Sequence, residues 1–313
     1  MSSNESEKNK AGWFTDYLSE KEVSFSLEAA KKLQACPWAK TLLKEQKITR
    51  AIKKLEQHKH GKEFNQDERG EIKSTLFEIR FAYNIFTLGL TAEYEHRNGV
   101  GKSSTDFKVI KDGNTWLIEL TSCRESNEVK NNTIVTDDWA CYNSISSPSK
   151  NSSEITDIIK IQQAILNKVV NKNDNPTKFP EVQENFFHVI LVDMRSFNAG
   201  HSDRYDYFNI AYGSETLSSI CDNNANCREW IDQNGKQNPI KGLFDDAHPD
   251  PRSRYLHERV HILGFISEEK YIENELLKPD TIYLFYNHRF FHNKSLHECE
   301  ILNRKFPSLK SYT

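Results

Sequence analysis

The chain is 313 residues long, 37% hydrophobic, and carries a formal net charge of −3, enough for one large core or two smaller ones. A slightly acidic chain has no global nucleic-acid signature, so any such function needs a local basic surface. A mean hydropathy of −0.72, with no run of about 18 apolar residues, argues against a membrane span.

The N-terminus, MSSNESEKNK, has no signal-peptide apolar core. Six scattered cysteines without a CxxC pair fit reduced thiols in a cytoplasmic protein. Residues 1–24 read as a flexible polar lead-in with one apolar patch at Trp13 and Phe14. Residues 25–70 read as a helical, basic region. A helix starts near Phe25 with Ser26 as N-cap, and Pro37 divides it from a second one. The second is rich in lysine (Lys40, Lys44, Lys47, Lys53, Lys54, Lys59, Lys62) and also contains Arg50. Such a run is commonly a solvated face. Because it leads into the acids described next, a phosphate-tracking role is carried beside that reading.

Glu71 to Leu90 has helical periodicity closed by Gly89, with Arg80, Tyr83, Asn84 and Thr87 on the polar face. Glu78 falls on the opposite side, beside Phe81, Ala82 and Ile85. An unpaired carboxylate there is expensive. It is either satisfied by an Arg or Lys elsewhere, or it points at the acids of the following hairpin. Thr91 to His96 reads as a strand. The loop after it contains GVGKS but is no phosphate loop, since His96 stands where the motif needs its first glycine and a strand follows.

Thr105 to Cys123 organises the rest. Asp112-Gly113 predicts a two-residue hairpin loop, which places Lys111 opposite Asn114, Val109 opposite Trp116 and Asp106 opposite Glu119. Alternation puts Phe107, Val109, Trp116, Ile118 and Leu120 on one face, and Asp106, Lys108, Leu117, Glu119 and Thr121 on the other. Carboxylates paired directly across strands, with Cβ atoms about 5 Å apart, repel. Either this strand end is solvated, or a divalent cation bridges both acids through hard oxygen ligands. Leu117 and the apolar opposite face favour the cation.

A long polar stretch follows to Ser153, of a length that is usually functional or mobile. Glu154 to Asn171 is an amphipathic helix, with Gln162 in the middle of its apolar stripe and Lys168 at the stripe's edge. Phe187 to Met194 is a central strand buried on both faces. Residues 196–258 form a loop-rich insertion with short helices. His261 to Ser267 and Thr281 to Asn287 are two final strands separated by a short helix.

This order of elements, with Glu78 in LFEIRFAYNIFTLGL, Asp106 in STDF and Glu119 in LIELTS, resembles the PD-(D/E)XK nuclease superfamily. The resemblance covers roughly residues 71–195, with weaker support to the C-terminus. It implies an α/β, restriction-endonuclease-like core over residues 71–313, with a mixed central sheet flanked by helices, plus the helical N-terminal extension. It also implies Mg²⁺ or Mn²⁺ held by Asp106 and Glu119 with Glu78 joining, and hydrolysis of nucleic-acid phosphodiesters, DNA favoured over RNA. A homodimer or a partner protein fits the same reading.

Two positions depart from the pattern: Thr105 stands in place of its proline, and Thr121 in place of its lysine. Lysines placed to substitute are Lys168, Lys160, Lys108 and Lys102, and Gln162 suits the helix glutamine that recurs in relatives. Two other readings remain. The fold with its lysine lost would be a nucleic-acid-binding or assembly module. His257-Glu258-Arg259-Val260-His261 matches the HExxH zinc-peptidase motif, with Glu273 or Glu275 as a third ligand, although His261 reads as the start of a strand.

Overall fold

The structure, a computed structural model, describes residues 20–98, 100, 103–123, 133–135, 140–142, 153–171, 175–176, 178–194, 204–216, 229–231, 235–266, 282–291 and 306. The lead-in up to residue 19, Lys102, Cys221 and Cys227, Glu273 and Glu275, most of the polar stretch after Cys123 and the helix expected between the last two strands lie outside the described residues.

Three elements at the centre follow from one turn. Strand β1 (Ala92–Arg97) pairs antiparallel with β2 (Ser104–Lys111), which pairs antiparallel with β3 (Asn114–Ser122). Asp112 and Gly113 both adopt positive φ, 52° and 75°, as a two-residue loop matching the strand twist requires. Lys111 accordingly faces Asn114, and Val109 faces Trp116. Further strands complete a mixed six-stranded sheet in the order β1-β2-β3-β6-β9-β10: β6 (Phe186–Asp193) and β9 (Ile262–Ile266) run parallel to β3, and β10 (Ile282–Tyr286) runs antiparallel to β9. Two short pairs, β4 (Thr133–Val135) with β5 (Ala140–Tyr142) and β7 (Glu229–Ile231) with β8 (Gln237–Pro239), lie apart from it.

Both faces of the sheet are covered. Helices α1 (Glu20–Leu33), α2 (Ala39–Lys44), α3 (Gln46–Lys59) and α4 (Gln66–Thr87) share one apolar cluster with Phe107, Val109, Trp116 and Ile118. Helices α5 (Ser153–Val169), α6 (Arg204–Tyr212) and α7 (Ser253–Arg259) share the other with Leu117, Ile190, Val192 and Leu263. The β6 run FFHVILVD is apolar without alternation because Val189 and Leu191 fill the first cluster while Ile190 and Val192 fill the second. A four-residue helix, α8 (His288–Phe291), follows β10. No described helix is long and apolar enough to cross a membrane.

The N-terminal region differs from its expectation in three ways. Helix α1 opens at Glu20, ahead of Phe25, and Ser26 is buried inside it and caps nothing. Val23, Ala30 and Leu33 share one helical stripe, so the periodicity begins before Ser26. A second break at Glu45, whose ψ is 135°, separates α2 from α3. Finally, the helices are a layer of the core: Leu33, Leu42, Ile48 and Leu55 are fully buried in the cluster that holds Phe107. This layer also covers the supposed polar face of α4, where Arg80, Tyr83 and Asn84 are all buried. Helix α4 itself starts five residues early, at a capping box between Asn65 and Glu68.

Candidate active site

The β2–β3 ladder ends at the Phe107–Ile118 pair, and just past it Asp106 and Glu119 meet through side-chain contacts. There the acids reach into the opposing backbone: Leu120 N–H donates to Asp106 Oδ2 at 2.7 Å, and Asp106 N–H donates to Glu119 Oε2 at 3.3 Å. On the other flank, the β1–β2 ladder pairs Tyr94 with Phe107 and His96 with Thr105 but skips the step between them. Glu95, at that step, has φ of 54°, a left-handed conformation that a long side chain rarely adopts. The sheet is thus irregular at the position of Asp106.

Glu119 is fully buried. Its Oε1 is 2.9 Å from Lys168 Nζ on α5 and 3.2 Å from Lys178 Nζ, and Lys178 also donates to the Ser104 carbonyl at 2.6 Å. Burial and then the charge of Asp106 push the Glu119 carboxyl up to about 7, against the pull of the two lysines. Burial also works against the Lys168 ammonium, but Glu119 and Asp106 outweigh it and hold that group above its ordinary value.

Glu78 is paired as its position demands. Lys47 Nζ of α3 lies 2.9 Å from its Oε1, and Tyr94 OH donates to its Oε2 at 2.7 Å. Its pKa is raised by burial first and by Asp106 second, so both readings of Glu78 hold in part: a lysine satisfies it, and it feels the charge of the hairpin acid. Three carboxylates and three lysines (Lys47, Lys168, Lys178) therefore stand together.

This corrects the expectation that a cation is what reconciles the facing acids. Lysines and backbone N–H groups already do so. Nor do the three expected metal ligands converge: among the described residues, no group of three or more His, Cys, Asp or Glu side chains is placed to hold a metal. Glu78 faces Lys47 and Tyr94 instead. What remains is a pair. Asp106 Oδ1 accepts no hydrogen bond among the described residues, and it stands with Glu119 as two hard oxygen donors of the kind Mg²⁺ and Mn²⁺ prefer. Asp106 and Glu119 are the two residues that would hold such an ion.

Gln162 is not part of this group. Its amide nitrogen donates to the Ile210 and Lys241 carbonyls, at 3.3 and 2.8 Å, tying α5 to α6 and the segment after β8. Six residues separate it from Lys168, about 9 Å along the axis and roughly 120° around it, so the two leave the helix in different directions. Of the other lysines, Lys160 lies 3.6 Å from Asp157 and Lys108 lies 3.9 Å from Glu93. Lys178 was not anticipated. It follows Pro176 in a segment without periodicity, and its place is set by Phe179, buried and stacked on His188 at 5.2 Å. In the HExxH segment the helix ends at Arg259 and Val260 is extended. His257 contacts Asp246 at 2.8 Å, while His261 Nδ1 accepts the His188 N–H at 3.1 Å, so the two imidazoles do not share a helix face.

The two lysines on Glu119 carry a stability prediction. Replacing both Lys168 and Lys178 with Met strands a buried charge and is expected to cost about 3–5 kcal/mol. Adding Glu119→Gln should recover most of that loss in urea unfolding at pH 8. Equal stability of parent and double variant would show that the pairs contribute nothing.

Compared with known proteins, the chain gives no significant match to any family model, curated protein or solved structure.

Proposed function

We propose that the chain is a divalent-metal-dependent nuclease, acting on nucleic acid with DNA favoured, in the cytoplasm. The observation that carries this reading is Lys168 Nζ at 2.9 Å from Glu119, beside Asp106 across the hairpin. A lysine from α5 supplies the cation that Thr121 does not, next to the acid pair that would hold the metal.

When bound, the metal would neutralise charge on a phosphodiester and acidify a nearby water. The chain's own groups divide the remaining work. Asp106 and Glu119 would hold the ion. Lys168 and Lys178, each less than one third exposed, donate to phosphate oxygens as negative charge develops, in a site with little water to screen them. Glu78, held by Lys47 and Tyr94, keeps the local charge balanced. Removing one such donor typically costs on the order of 10²–10³-fold in rate, which is the loss expected for Lys168→Ala.

Metal binding needs Glu119 ionised. Because burial and the charge of Asp106 raise its carboxyl above the ordinary value, cleavage should fall as pH is lowered through the neutral range and level off at alkaline pH. The test is incubation of the purified chain with single- and double-stranded DNA and RNA, with Mg²⁺, Mn²⁺ or EDTA, across pH 5.5–9. Cleavage that needs metal and follows this profile supports the proposal. Binding without cleavage under every metal condition overturns it in favour of a nucleic-acid-binding or assembly module. That second reading draws on the charge balance, since three lysines already pair with Glu78 and Glu119 and the Leu120 N–H donates to Asp106.

A further inference from the structure

On the flank of α3 that faces α1 lies an open groove of about 980 Å³. Leu27, Ala30 and Ile52 form its floor, and Lys31, Lys53, Lys59 and Lys62 stand around it, all four exposed. Among the described residues the one acid lining it is Glu56. Among the described residues none of the four lysines has a carboxylate within salt-bridge distance; Lys62 Nζ instead donates to Gln57 Oε1 at 3.2 Å and lies 5.2 Å from the centre of the Phe64 ring. The groove thus carries a formal charge of +3, from four lysines against one glutamate, in a chain whose total is −3.

The lysines that α3 and its neighbours use internally lie elsewhere. Lys47 is committed to Glu78, and Lys54 is 3.4 Å from Glu68. The basic character of this helix therefore serves two ends: one set of lysines pairs with acids of α4, and the other is left to an external anion. Among the described lining residues four lysines outnumber a single aromatic ring, the imidazole of His60, so the groove is equipped for backbone phosphates more than for stacked bases. What it offers is positive charge over an apolar floor, the equipment for contacts with phosphates and not with base edges.

We infer that the groove between α1 and α3 binds the phosphate backbone of duplex nucleic acid and positions it for the Asp106–Glu119 site, an inference that rests on the nuclease reading. Helix α3 links the two places. Lys47, at its start, reaches Glu78, while Lys53 and Lys59 lie six and twelve residues further on. At 1.5 Å per residue this is about 9–18 Å, or roughly three to five steps of a duplex strand at about 3.4 Å each. Backbone contacts at that remove from Lys47 would fix register without selecting sequence.

The experiment measures binding of the full chain to a 20-base-pair duplex in EDTA, as a function of salt. Each phosphate that a lysine no longer neutralises should lower the slope of log affinity against log salt by about 0.9. Lys31, Lys53, Lys59 and Lys62 all changed to Ala should therefore lower it by about 3–4, equally for duplexes of unrelated sequence. A control with Lys40, Lys44, Lys236 and Arg254 changed to Ala removes the same charge away from the groove and should leave the slope unchanged. An unaltered slope in the groove variant, or an equal drop in the control, overturns the assignment, as does failure of the parent chain to bind duplex at low salt. All eight side chains are exposed, so thermal midpoints should match the parent. Cleavage is scored separately. An Asp106→Asn variant that binds with the parental slope but does not cut separates the groove from the catalytic reading, so either can fail without the other.

Discussion

Asp106→Asn and Glu119→Gln are each expected to reduce metal-dependent cleavage by on the order of 10³-fold or more, because each removes one of two anionic ligands from a site that has no third among the described residues. Both substitutions keep the fold. An Asn at 106 still offers a carbonyl oxygen to the Leu120 N–H, now 2.7 Å from Asp106, and a Gln at 119 still offers one to the Asp106 N–H. Lys168 and Lys178 are partly exposed and regain water when their partner loses its charge, so neither becomes a buried orphan. The two variants should differ in pH dependence. Whatever activity remains in Glu119→Gln should lose the rise towards pH 7, since the group that causes it is gone; Asp106→Asn should lower the midpoint of that rise, because the second largest cause of the raised Glu119 pKa is the Asp106 charge. Single-turnover rates with a labelled duplex, alongside circular dichroism of each variant, decide this. Cleavage at the parental rate by both folded variants would remove the site assignment.

The hairpin was legible in the sequence because every determinant of it is local. Asp112-Gly113 selects the turn, the turn sets the register, and alternation then assigns Phe107 and Trp116 to one core and Leu117 to the other. The juxtaposition of Asp106 and Glu119 follows from the same logic, as does the edge position of Lys168 on its helix. What periodicity does not encode is which element covers which. Nothing in residues 25–70 shows that Leu42, Ile48 and Leu55 close over the sheet, yet that packing is what brings Lys47 to Glu78 and buries Arg80 and Asn84. Gln162 illustrates the reverse case. Its inward direction follows from the helical period, but an inward amide needs acceptors, and the nearest are the Ile210 and Lys241 carbonyls. Lys178 lies in a segment with no period at all. Its signal is the buried aromatic beside it, and that is visible only after folding.

Acid should destabilise the fold through His188 and His261, at the ends of neighbouring strands. The His261 N–H donates to the His188 carbonyl at 2.9 Å and the His188 N–H donates to His261 Nδ1 at 3.1 Å, while the rings sit 5.3 Å apart. His188 Nδ1 lies 2.7 Å from the Arg259 carbonyl and so carries the proton, and His188 Nε2 is buried without a hydrogen bond among the described residues. The other ring packs face-on against Phe290 at 4.4 Å. Burial lowers the His188 pKa to about 4 against the help of the Arg259 carbonyl, and burial together with the His188 charge lowers that of His261 to about 3. Both folded values are below the ordinary 6.5. The unfolded chain therefore takes up protons from about pH 6.5 downward while the folded chain refuses them, and stability present above pH 6.5 is lost on acidification. By pH 4 the loss is about 3 kcal/mol for each ring, large against a total of 5–15 kcal/mol for an ordinary domain. Glu119, whose folded pKa is raised, works in the opposite direction between about pH 7 and 4.5, so the whole-protein curve mixes the two. A difference isolates the ring: the stability of the parent minus that of His261→Gln, from urea unfolding, should shrink by about 3 kcal/mol between pH 7 and pH 4. In the variant an amide oxygen can still accept the His188 N–H, but nothing at 261 can take up a proton. A difference that stays constant over that range would mean that His261 titrates as freely in the folded chain as in the unfolded one.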